Sequence, residues 1–216
     1  MIKLIAIAAV LSASLAEATP LEIERCRSLS RGLQDMRYYQ GKTLKPGDYT
    51  NKAVNARIAR CGVIAKAAAP YGTAVVWASI ALAFKESCFD FERRGEPIKG
   101  KAGEVGPMQV MAKTCAQFEN LYKDDVCLDP IKASVLHMRN KLADAKAVRC
   151  KGKKGVLREQ CLIKTRSDDL QLALSYYNGT RGGITNYGKE VAGWAIHAIK
   201  RHRKWLTKQR KQSGGS

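Results

Sequence analysis

The chain has 216 residues, a formal net charge of +19 and seven cysteines. Beyond Leu15 no apolar run reaches the length needed to span a bilayer, which argues against a polytopic membrane protein. No Cys-x-x-Cys pair or Cys/His cluster has metal-ligand spacing, so neither a zinc site nor any cofactor is expected.

Lys3 supplies a positive start, Leu4 to Leu15 is almost unbrokenly apolar, and Ala16-Glu17-Ala18 matches a small-x-small cleavage site. Residues 1–18 therefore read as an export signal. About 198 residues would remain, enough for one domain with a sizeable core. All seven cysteines follow that site, which points to disulfides in an oxidising, periplasmic or extracellular compartment. Cys115–Cys127 and Cys150–Cys161 would each close a short loop, and Cys26–Cys61 would tie down the N-terminal segment. Cys88 is then left over, although spacing alone does not establish connectivity and another thiol could be the odd one.

Most of the chain carries helix signals. Pro20 to Tyr39 has Leu21, Ile23, Leu29, Leu33 and Met36 at roughly helical spacing. Gly41 to Asp48 is a break, and Asn51 to Ala69 is an Ala-rich helix. Pro70-Tyr71-Gly72 is a turn. Thr73 would cap a helix in which Trp77, Ile80, Ala81 and Phe84 form one buried stripe. Gly95 to Gly106 is irregular, with room for at most a small hairpin. Helices are expected over Thr114–Tyr122 and Asp129–Val148, the second opened by Asp129-Pro130 as cap and first helical residue. A basic loop inside Cys150–Cys161, a helix over Asp168–Tyr177 capped by Ser167, a turn over Asn178–Gly183 and a terminal helix over Lys189–Leu206 complete the series.

Charge is dense in 149–166 and from Lys200 to Lys211. Nucleic acid is not the expected partner of an exported chain whose basic runs lack interleaved aromatics. An anionic wall polymer or membrane surface fits better, beside the plainer reading of a solvated cationic surface.

Three segments carry chemistry. Glu86 ends the apolar helix, where desolvation and the helix C-terminus both disfavour its charged form, as a general acid requires. Gly103-Glu104-Val105-Gly106-Pro107-Met108-Gln109 and Tyr176-Tyr177-Asn178-Gly179 follow. Gly106 lets backbone approach a ligand, and Gln109 offers both a donor and an acceptor. Taken alone, Met108 reads as core, Ser87 as a helix-end hydroxyl, Asn178 as a turn former and Tyr187 as equally core or binding surface. His137, His197 and His202 have no motif around them.

Phe84-Lys85-Glu86-Ser87 resembles the Glu-Ser motif of lytic transglycosylases of the soluble lytic transglycosylase (SLT) type. Gly103 to Gln109 resembles that family's Gly-x-x-Gly-Leu-Met-Gln motif. Leu172 to Gly179 resembles its Ala-Tyr-Asn-x-Gly motif, and Ile184 to Val191 its closing tyrosine segment. The match spans residues 70–195. The resemblance implies a mainly α, lysozyme-like fold of the goose-type lysozyme/SLT kind. Residues 19–69 would pack beside a catalytic domain over 70–199, with a basic tail over 200–216.

The resemblance also implies cleavage of the MurNAc–GlcNAc β-1,4 bond of peptidoglycan with formation of a 1,6-anhydro sugar. Glu86 would act as acid and then base. Ser87, Gly106, Met108, Gln109, Tyr177, Asn178 and Tyr187 would bind the glycan strand. The partner would be peptidoglycan, with the protein a monomer associated with the cell wall.

Three positions depart from the pattern. Pro107 stands where leucine is usual, Gly100 stands near a common serine, and Glu104 replaces a small residue. Glu104 as a second carboxylate would turn the reaction toward a hydrolytic muramidase. A rival of another class is a wall-binding or secretion-assembly protein with incidental catalysis.

Overall fold

The computed structural model describes residues 18–34, 38–39, 42–43, 51–93, 96–180 and 182–213. The expected export segment lies outside them except for Ala18, as does most of the Gly41–Asp48 break.

The chain is mainly helical. Helices α1 (Pro20–Gln34), α2 (Asn51–Ala68) and α3 (Thr73–Ser87) come first. The short α4 (Ala112–Cys115) lies among hairpins. Then follow α5 (Pro130–Arg149), α6 (Gly155–Ile163), α7 (Ser167–Tyr177) and α8 (Asn186–Ser213). Among the described residues there are four two-stranded antiparallel hairpins. They are β1 (Tyr38–Tyr39) with β2 (Lys42–Thr43), β3 (Glu92–Arg93) with β4 (Glu96–Pro97), β5 (Glu104–Val105) with β6 (Val110–Met111), and β7 (Tyr122–Lys123) with β8 (Val126–Cys127).

This is more strand than the single small hairpin expected from the sequence. Tyr38 and Tyr39 belong to β1 and not to the end of α1. The helix expected over Thr114–Tyr122 stops at Cys115, where the chain turns toward β7. The disulfide Cys115–Cys127 ties α4 to the end of β8, and Asn120, Asp124 and Asp125 take positive φ in the turns.

Helix α3 is the axis of the fold. Every residue from Val75 to Phe84 is buried, because α2, α5, α7 and α8 all pack around it. A helix apolar on all sides is stable only in such surroundings, so the single stripe expected from the sequence understates its burial. Gly72, not Thr73, is the N-cap, and Thr73 is the first helical residue. At the other end Cys88 (φ 54°) and Phe89 (φ 65°) enter the left-handed region. The Cys88 and Phe89 N–H groups donate to the carbonyls of Phe84 (3.0 Å) and Ala83 (3.3 Å). This closure has the pattern of a Schellman motif. Phe89, fully buried and edge-on to Phe84 at 5.5 Å, supplies its hydrophobic contact. The stop leaves Glu86 in the last turn of α3.

One continuous core runs from Cys26 and Leu29 of α1 through Ile64 of α2 to Ala195 and Ala198 of α8. The N-terminal segment therefore shares the core of the rest, and Cys26–Cys61 staples α1 to α2. Helix α8 continues without a break past residue 199. His202 is buried, edge-on to Trp77 at 5.5 Å and stacked on Trp205 at 5.6 Å. The start of the expected basic tail is thus packed helix.

Asp129 caps α5 as its sequence predicts, accepting from the Lys132 N–H at 2.9 Å, with Pro130 in the first turn. The expected basic loop after Cys150 contains helix α6, closed by Cys150–Cys161. Arg149 anchors it. Its guanidinium donates to the buried carboxylate of Asp169 at 2.7 Å and to the carbonyls of Cys161 (2.9 Å) and Lys164 (2.7 Å). Asp169 also accepts the Arg166 N–H at 2.8 Å at the start of α7. This role at the helix start is the one the sequence assigned to Ser167. Cys88 takes part in none of the three disulfides. Among the described residues no helix is long and apolar enough to cross a membrane.

Candidate functional site

Glu86 is half-buried. Burial raises its carboxyl above the ordinary value, against the opposing effects of a Tyr187 hydrogen bond and the Lys85 cation, and the nearby charge of Glu104 adds to the rise. The Tyr187 hydroxyl from α8 donates directly to Glu86 Oε1. One carboxyl oxygen is thereby held in place from α8. A carboxyl that resists ionisation and has a fixed orientation suits proton transfer near neutral pH.

Two interactions bring α8 to this position. Lys85 Nζ pairs with Glu190 Oε2 at 2.9 Å and lies 5.4 Å from the ring centroid of Trp194. Gly188 allows α8 to press against α7, since a Cβ there would collide with Ser175 Oγ and the Gln171 carbonyl. Ser175 in turn accepts from the Thr185 N–H at 2.9 Å, and Thr185 Oγ1 accepts the Gly188 N–H at 3.1 Å.

Tyr177 approaches from the end of α7. Its hydroxyl donates to the Met108 carbonyl at 3.2 Å. Burial pushes the phenol well above its ordinary value, a hydrogen bond with Ser134 opposes that rise, and the charge of Glu86 adds to it. The His137 ring of α5 lies edge-on at 5.1 Å. Burial, helped by Lys141 and opposed by Asp144, lowers His137 to about 4, so it is neutral at neutral pH.

The loop between β5 and β6 supplies the remaining groups. Gly106 (φ 74°) packs where a Cβ would meet the Pro130 side chain at 2.5 Å, which sets the loop against the start of α5. Gln109 holds a left-handed backbone (φ 50°), a strained conformation for a residue with a side chain. Its Nε2 donates to the Gly106 carbonyl at 2.8 Å. That use of its donor leaves its Oε1 facing Gly100. Glu104 Oε2 faces the same point and accepts the Ala102 N–H at 3.0 Å. A Cβ at Gly100 would collide with both oxygens. The glycine at 100 and the glutamate at 104 are therefore one packing arrangement.

The expected residues divide into two groups. Glu86, Tyr187, Tyr177, Gln109, Glu104 and Gly106 converge at the junction of α3, α7, α8 and the β5–β6 loop. Three others act elsewhere. Ser87 donates back to the Ala83 carbonyl at 3.1 Å. The Met108 side chain is fully buried in the core, so only its carbonyl serves Tyr177. Asn178 is an exposed C-cap of α7.

Sequence reasoning did not single out Lys85, Glu190 or Ser175. The first is adjacent to Glu86, and the second lies one helical turn after Tyr187. Ser175 gave no signal, because its role depends on how closely α7 and α8 approach. Among the described residues no group of three or more His, Cys, Asp or Glu is placed to hold a metal ion. Compared with protein-family models, curated proteins and solved structures, the chain shows no match.

Proposed function

We propose that the protein is a lytic transglycosylase of peptidoglycan with a lysozyme-like fold, exported to the cell wall. One observation carries this reading: Glu86 is a desolvated carboxyl at the end of a buried helix, held through one oxygen by Tyr187. The order of the groups around it supports the family resemblance, with a glycine-rich hairpin loop and a Tyr-Asn helix end following the catalytic helix.

Protonated Glu86 gives its proton to the glycosidic oxygen as the bond to C1 breaks. The substrate's acetamido group stabilises the positive charge at C1. The Glu86 carboxylate then takes the proton of the C6 hydroxyl, whose oxygen bonds to C1. The acid is restored, no water is consumed, and a 1,6-anhydro end remains. Tyr187 keeps the second carboxyl oxygen in position through both steps. Glu104 and Gln109 present oxygens that can accept hydroxyl or amide hydrogens of the sugar.

A second reading rests on Glu104. Its charge is close enough to raise Glu86, and a carboxylate there could hold a water for attack at C1, making the protein a muramidase.

Mass spectrometry of purified peptidoglycan digested by the wild type and by Glu86→Gln tests both. Anhydro ends are expected from the wild type, with a loss of about 10²–10⁴-fold in Glu86→Gln. Reducing ends would favour the muramidase. Undiminished cleavage by Glu86→Gln would overturn both readings.

A further inference from the structure

Helix α6 has no buried residue. Every residue from Lys151 to Gln160 is exposed. The exposed positions include large aliphatic side chains: Val156 is 67%, Leu157 66% and Ile163 77% exposed, with Val148 at 54% just before the disulfide. Solvated helices do not ordinarily display such groups together, and a cluster of them marks a contact surface. Around them stand Lys151, Lys153, Lys154, Arg158, Lys164 and Arg166, all exposed, against a single acid, Glu159. The platform is held firmly, by Cys150–Cys161 and by the Arg149 guanidinium on Asp169 and two carbonyls.

We infer that α6 and its flanking lysines form a docking surface for an anionic lipid bilayer, with Val156, Leu157 and Ile163 entering the headgroup boundary. Exposed aliphatic side chains interspersed with Lys and Arg are the composition of an interfacial helix, which combines buried apolar area with attraction to anionic lipid. Two other occupants fit less well. An anionic polymer would satisfy the lysines but leave the aliphatic groups in water. Protein interfaces favour aromatic residues, Met and Arg and avoid Lys, whereas 148–166 has four lysines and neither an aromatic residue nor a methionine.

The location suits such a role. Tyr177 meets Ser134 and His137 near the start of α5, whereas α6 leaves from the end of that helix. At 1.5 Å per residue, Ser134 and Arg149 lie about 22 Å apart along the axis. A protein bound through α6 would keep Glu86 away from the bilayer. The inference does not depend on the reaction assigned to Glu86.

Sedimentation of the full chain with vesicles tests it, using phosphatidylcholine with phosphatidylglycerol against phosphatidylcholine alone. The wild type is expected to bind the first and not the second. Val156→Ser/Leu157→Ser/Ile163→Ser should weaken binding about tenfold or more. Lys151→Ser/Lys153→Ser/Lys154→Ser should cost roughly fivefold per lysine. Leu157→Ser alone should fall between the wild type and the triple variant, and unchanged circular dichroism checks that folding is intact. Lys200→Ser/Lys204→Ser on α8 should change binding less than either α6 variant, and Glu86→Gln should bind as the wild type does.

Failure of the wild type to bind anionic vesicles would overturn the inference. So would wild-type binding by the aliphatic triple variant, or loss confined to the α8 variant. If the aliphatic substitutions instead abolish self-association in solution and leave vesicle binding intact, the surface belongs to a second copy of the chain and the inference fails.

Discussion

The two ends of the α5–α7 pair treat charge in opposite ways. Near Glu86 a carboxyl is drawn out of water and fixed by a tyrosine from α8. At α6 six basic side chains stand in water beside uncovered aliphatic groups. The first arrangement needs close packing, because exclusion of water is the largest of the effects that disfavour the charged carboxyl. The second needs only a fastened platform, because its energy is realised on contact with something else. Buried Asp169 and its partly exposed partner Arg149 stand between the two regions.

The joint should therefore be the most sensitive point. Asp169→Ala leaves the Arg149 guanidinium without its carboxylate and the Arg166 N–H without its acceptor. A loss of about 3–5 kcal/mol is expected in urea denaturation, as for a buried ion pair with one partner removed. A loss below about 1 kcal/mol would mean that the carbonyls of Cys161 and Lys164 suffice to satisfy Arg149.

Close packing near Glu86 can be tested with two glycines on one helix. A Cβ at Gly188 collides with α7, whereas Gly193 has open space around it. Gly188→Ala should cost about 1–3 kcal/mol and impair catalysis by moving Tyr187. Gly193→Ala should stabilise by about 0.5–1 kcal/mol through helix propensity. Equal effects in thermal denaturation would remove the argument that Gly188 sets the α7–α8 approach.

The platform should respond weakly in global stability. Opening Cys150–Cys161 with two serines would cost about 2–3 kcal/mol if loop entropy counted in full. Because no residue of α6 is fully buried, it can loosen in the native state as well, so a smaller loss is expected. Hydrogen exchange should show α6 amides losing protection while α3 keeps its own.

The finest effects are those of pH. Tyr187 lowers the Glu86 pKa and Glu104 raises it. Tyr187→Phe should accordingly move the alkaline limb of activity upward, and Glu104→Gln should move it downward while leaving the product anhydro. Loss of all activity in Glu104→Gln would support the hydrolytic reading. Stability follows the same sign. A carboxyl whose folded pKa is raised binds more protons folded than unfolded, so its contribution falls as pH rises from the unfolded value of 4.5 through the folded value. Glu86→Gln should therefore gain stability relative to wild type across that window and hold a constant advantage above it.

Local signals in the sequence identify much of this structure. Asp129-Pro130 predicts the start of α5, and apolar density predicts α3. The short cysteine separations predict two of the disulfides, and the position of Glu86 at an apolar helix end predicts its raised pKa. Where a feature depended on distant approach, local reading fell short. The left-handed stop at Cys88 and Phe89 lacks a glycine and relies on Phe89 finding Phe84 in the core. The α6 helix lies in a stretch that composition alone describes as a basic loop.

The sequence by itself determined a helical, disulfide-stapled chain with one desolvated carboxyl and a set of candidate companions. Helix periodicity, capping and cysteine spacing are properties of neighbouring residues, so they are legible there. Only the tertiary structure decided that Tyr187, 101 positions away, holds Glu86. Only it decided that Gly100 yields its space to Glu104 and Gln109, and that the apolar residues of α6 remain uncovered. These depend on how closely helices and loops approach, and that distance is set by the whole core at once.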